Sequence, residues 1–72
     1  MPITIKHPIT RDPRVHSGAP VFTGTRIAVK ILFDYLAEGQ RVDDFVHEYP
    51  SVSREQAIAA IEEVEGLLEV TA

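Results

Sequence analysis

The chain has 72 residues, no cysteine, a 44% apolar share and a net charge of −4. This length allows one domain, the composition is that of a folded rather than a disordered chain, and the absence of thiols excludes disulfides and thiolate metal sites. No apolar run approaches the roughly 20 residues of a membrane span, and the N-terminus has no signal-peptide apolar stretch, so a cytoplasmic protein is expected.

Ile3-Thr4-Ile5 is an alternating β-branched run and predicts a short strand, ended by His7-Pro8. Ile9 to Ala19 holds Pro13, Gly18 and several polar residues and reads as a loop, with a turn favoured at Asp12-Pro13. Gly18 to Val29, GAPVFTGTRIAV, predicts a small hairpin. It has a short apolar strand, a Thr23-Gly24-Thr25 turn and a second short strand ending at a helix start. Gly24 stands where the turn needs positive φ. Pro20 lacks an N–H and belongs at the first residue or edge of a strand.

A first helix is predicted from about Val29 to Glu38. Val29, Leu32, Phe33 and Leu36 form one apolar stripe, widened by Ile31 and Tyr35, and Gly39 is placed for a left-handed C-cap. A second helix is predicted over Val42 to Tyr49, with Val42, Phe45, Val46 and Tyr49 at the same spacing and Pro50 as the stop. Arg41 stands where a small polar cap belongs, which leaves a frayed start or a cap by Asp43. The third helix has the strongest start signal: Ser53 and Gln56 fit an S-x-x-Q capping box. Ala57, Ile58, Ile61, Val64 and Leu68 recur along it at helical spacing. Gly66 costs about 1 kcal/mol relative to alanine, so the helix is expected to stop near Glu65 or run on to Glu69.

The expected fold is mainly α: a three-helix, homeodomain-like bundle preceded by a short N-terminal β-hairpin. One domain covers residues 1–72, with strands, loop and hairpin over 1–28 and the bundle over 29–69. The Pro50-Ser51-Val52-Ser53 connection gives the last two helices the layout of a helix-turn-helix. A core this small rarely supplies more than about 3–5 kcal/mol, so a homodimer that buries the apolar Leu67-Leu68-Glu69-Val70 tail is expected.

Gly18-x-Pro20-Val21-Phe22-x-Gly24-Thr25-Arg26-Ile27, followed by Val29, Gly39, Tyr49-Pro50 and a last helix after Ser53, resembles the domain-of-unknown-function 433 (DUF433) family. The resemblance covers roughly residues 3 to 66. It implies a small prokaryotic protein with a homeodomain-like unit behind a hairpin. It further implies an antitoxin, many members of that family being encoded beside a PIN-like ribonuclease toxin.

The residues give little support to catalysis. His7, His16 and His47 lie in separate segments without metal-ligand spacing, and Asp44 with Glu48 fits a solvated acidic face better than a cation site. The Thr23-Gly24-Thr25 turn is a weak phosphate-binding signal. Neither an enzyme nor a cofactor or metal is expected.

Charge is unevenly placed. Through residue 41 there are six Lys or Arg against three Asp or Glu; after it, Arg54 stands against eight acids. Two partner surfaces are expected from such a split. Arg11, Arg14 and Arg26 lie in the loop and hairpin, and guanidinium groups pair with carboxylates in bidentate fashion. The ribonuclease implied by the resemblance gathers carboxylates around a metal, which makes these three the candidate toxin-binding set. Their alternative is solvation or an ion pair within the chain.

Ser53, Arg54 and Gln56 open the last helix, where a helix-turn-helix reads operator DNA, and are the candidate DNA-binding set. The acidic remainder of that helix works against phosphate contact. The expected function is antitoxin of a type II toxin–antitoxin pair, with repression of its own operon as an added activity. The alternatives are a stand-alone DNA-binding regulator and an orphan dimerisation module.

Overall fold

The apolar stripe of the first helical segment folds as predicted. In a computed structural model, which describes residues 7–70, Val29–Ala37 forms α1, with Val29 and Leu32 buried. Glu38 is the C-cap and Gly39 follows at φ +86°. The Gly39 N–H donates to the Leu36 carbonyl and the Gln40 N–H to the Tyr35 carbonyl, the paired bonds of a Schellman motif.

Val42–Glu48 forms α2, and Tyr49, ahead of Pro50, is its C-cap. The start of α2 is secured by Asp44: its Oδ2 accepts the Arg41 N–H at 2.9 Å. The expected cap by Asp43 is not what forms, because the Asp43 carboxylate turns to Arg54. Arg54–Val70 forms α3, which runs through Gly66. The Ser53 hydroxyl accepts the Gln56 N–H at 3.0 Å, one half of the capping box.

Ahead of the helices lies a short antiparallel hairpin. Its strands are β1 (Ile9–Thr10) and β2 (Val21–Phe22), paired Ile9 to Phe22 and Thr10 to Val21. The sequence pattern places Ile9 and Thr10 in a loop, and the structure pairs them as a strand. A two-residue strand whose partner begins eleven positions downstream leaves no local periodicity to read. The second strand expected after Thr25 shrinks to one bridge, Val21 to Ala28, because α1 begins at Val29. The turn between them is as expected: Thr25 N–H donates to the Phe22 carbonyl, with Gly24 at φ +82° in the position where a type II turn requires it. The strand predicted at Ile3-Thr4-Ile5 lies outside the described residues.

The hairpin, the three helices and the turn before α3 share one core. Phe22, Leu32, Phe45 and Val52 are fully buried, and α3 contributes Ala57 and Ala60. Small side chains let α3 approach the aromatic cluster in which Phe45 stacks between Phe22, at 5.5 Å, and Tyr49, at 5.2 Å. Tyr35 meets Phe45 edge-on at 5.7 Å. Partial burial, then Tyr49 and nearby acids, raises the Tyr35 phenol above its ordinary pKa. The architecture is mainly helical, homeodomain-like, with the hairpin packed on the bundle.

The apolar stripe of α3 only partly enters this core. Ile61 packs against it, but Leu67 and Leu68 are each 66% exposed. Among the described residues no helix is long and apolar enough to cross a membrane.

Candidate functional site

The connection from β1 to β2 is stiffened by an unusual backbone. His16, Ser17 and Gly18 hold successive positive φ values of 48°, 54° and 87°. The first two are not glycine, and a left-handed conformation costs a side chain-bearing residue roughly 1–2 kcal/mol. Turn bonds oppose that cost: Gly18 N–H to the Val15 carbonyl at 3.0 Å and Ala19 N–H to the His16 carbonyl at 3.1 Å. His16 adds a cross-link, its Nε2–H donating to the Arg26 carbonyl at 2.6 Å.

Asp12 organises the start of this turn. Its Oδ1 accepts the Arg14 N–H at 2.9 Å, and the Arg14 guanidinium forks onto both carboxylate oxygens at 3.1 Å. These bonds, together with the positive charge of Arg26, hold the Asp12 carboxyl below the usual carboxylate range. Arg14 remains 88% exposed. A guanidinium has five N–H donors, so the pair with Asp12 leaves Arg14 others to offer.

The structure therefore brings Arg14 and Arg26 into one neighbourhood around Asp12. Arg26 is exposed and, among the described residues, has no ion-pair partner. Arg11 is placed apart from them, at the rim of a groove beside α1 and α3.

The three residues at the start of α3 are used differently. Ser53 caps the helix. Arg54, 60% exposed, donates through Nε to Asp43 Oδ1 at 2.9 Å and so ties α3 to α2. The Gln56 side chain does not return to Ser53. Its Nε2 donates to the Thr23 carbonyl at 3.0 Å and to the Pro8 carbonyl at 3.3 Å. Thr23 in turn bonds the same segment, its N–H to the Pro8 carbonyl at 3.0 Å and its hydroxyl to the His7 carbonyl.

Gln56 thus clamps the hairpin to α3, a role the sequence did not reveal. A capping-box match draws attention to the same residue for a different bond. In the sequence His16 stands alone among the histidines, and its place at the start of the strained turn is signalled only by Gly18 two residues on. Among the described residues no group of three or more His, Cys, Asp or Glu gathers as a metal cluster.

No curated protein and no solved structure matches this chain. A family model described as protein of unknown function (DUF433) matches residues 9–63. The match begins at β1, passes through the strained turn and the Gly24 turn, and ends within α3; the chain belongs to the DUF433 family.

Proposed function

We propose that this chain is the antitoxin of a type II toxin–antitoxin pair and neutralises a PIN-like ribonuclease through its basic loop. The observation that carries the reading is Arg26: an exposed guanidinium with no carboxylate partner among the described residues, beside the Asp12–Arg14 pair. Its backbone is held by His16, so the ordering cost on meeting a partner falls mainly on the side chain. A site rich in carboxylates is the complementary surface, since arginine engages such groups with two parallel bonds.

The second reading, a DNA-binding regulator acting alone or repressing its own operon, rests on Arg54. Exposed ion pairs are worth about 0–1 kcal/mol, so Arg54 can exchange Asp43 for a phosphate or a base edge. Gln56 supports this reading less, because its amide already serves two carbonyls.

The test is rescue of RNA integrity when the chain is co-expressed with a PIN-like ribonuclease encoded beside it. Arg26→Glu is expected to weaken rescue, while Arg54→Ala leaves it intact. A folded Arg26→Glu variant that rescues as well as the parent overturns the assignment. An operator gel shift on the same two variants reports on the second reading, which requires loss of binding with Arg54→Ala and a steep salt dependence.

A further inference from the structure

The α3 helix outlasts the core that holds it. Its fully buried side chains are Ala57 and Ala60, and Ile61 packs beside them, yet the helix continues to Val70. At about 1.5 Å per residue, its last two turns extend well past the core. That extension also lies almost wholly beyond the residues matched by the family model, which end at 63. Short helical segments are marginal in water unless an apolar face is covered.

The extension forms one wall of an open groove of about 390 Å³. Val64 and Leu67 of α3 line it together with Ile9, Pro20, Val29 and Phe33, so its lining is largely apolar. The rim is bipolar. Glu63 stands on the α3 side, while Arg11 and Lys30 stand on the side of β1 and α1. Lys30 pairs with Asp34 at 2.9 Å, whereas Arg11 has no ion-pair partner among the described residues.

We infer that the groove is the pairing surface of a homodimer, in which the end of α3 from one copy lies in the groove of the other. The charge arrangement selects this occupant. In a two-fold contact, residue i of one copy meets j of the other and j meets i. A strip with a basic edge and an acidic edge satisfies that rule with itself: Arg11 of each copy faces Glu63 of the other, and Leu67 of each is covered. The uneven charge of the whole chain has the same sense, with the basic half before residue 42 and the acids concentrated after it. This pairing does not depend on what Arg14 and Arg26 bind.

Sedimentation equilibrium of the full chain over a micromolar concentration series tests it. The parent is expected to be dimeric. Leu67→Lys, at a position 66% exposed, is expected to keep the circular dichroism spectrum of the parent and sediment as a monomer. Arg11→Glu and Glu63→Arg are each expected to weaken association by roughly tenfold or more, and the two together to recover it. A parent that stays monomeric throughout the series overturns the inference, whether residues 1–6 of the same chain or a small apolar molecule fills the groove. So does a Leu67→Lys variant that dimerises like the parent, or a double charge swap that fails to recover association.

Discussion

Gly24 and Gly66 show how one residue type carries opposite meanings. An added Cβ meets nothing within 4 Å at either position, so space decides neither case. Backbone conformation does. Gly24 has φ +82°, which a β-branched residue tolerates poorly, and Gly24→Val is expected to destabilise the domain by more than about 1 kcal/mol. Gly66 lies inside a regular helix, where alanine is better by about 0.5–1 kcal/mol; Gly66→Ala is expected to raise helicity at 222 nm without lowering the unfolding midpoint. Denaturant midpoints and circular dichroism of the two variants check both signs, and equal midpoints for Gly24→Val and the parent refute the turn.

Asp12 makes a prediction in pH. Its folded-state pKa is lowered, first by the side-chain bond from Arg14, then by the backbone bond. A depressed carboxylate contributes stability that is present above its unfolded pKa and lost as pH falls through the folded one. Stability measured from neutral pH downward is therefore expected to fall through and below the ordinary carboxylate range. Asp12→Asn is expected to flatten that part of the profile. A parent and variant with parallel profiles would show that the fork on Arg14 contributes nothing.

Among the elements, the hairpin and α3 are coupled through Gln56. The amide offers two N–H donors, and both are directed at carbonyls of the segment around β1 and β2. An ionised carboxylate of the same shape donates nothing and places negative charge against two oxygens. Gln56→Glu is therefore expected to cost about 1–3 kcal/mol at neutral pH, at least as much as Gln56→Ala, and to recover on acidification as the carboxyl regains a proton. Chemical denaturation of both variants at two pH values makes the comparison; a Gln56→Glu variant as stable as the parent at neutral pH would remove the clamp from the account.

The legibility of these elements follows from the range of the interactions that make them. The stripe Val29, Leu32, Phe33 and Leu36, the Gly39 cap, the Ser53 cap and the Gly24 turn are set by neighbours within a few residues, and the pattern of the sequence shows them. The strand at Ile9–Thr10 depends on pairing across the intervening turn, and Gln56 depends on carbonyls 33 and 48 positions away. Positive φ at His16 and Ser17 is imposed on residues that carry a side chain and seldom adopt it. Of the candidate arginines, type and exposure were legible, but the gathering of Arg14 and Arg26 around Asp12 and the separate place of Arg11 were not.

At the scale of the molecule, three surfaces divide the chain. Arg14, paired with Asp12 ahead of the strained turn, and Arg26, whose carbonyl His16 holds, form the first. The start of α3 presents Arg54, tied to α2. The groove beside the end of α3 carries the bipolar rim. Antitoxin activity as proposed here uses the first surface, self-association the third, and DNA contact would fall on the second. The most direct test is an amide-resolved NMR titration of the isotopically labelled chain with a PIN-like ribonuclease encoded beside it. The account predicts that the largest perturbations fall between Asp12 and Arg26, with Arg14 and Arg26 prominent among them. Perturbations confined to Ser53, Arg54 and the following turn of α3, or none at saturating ribonuclease, would contradict it.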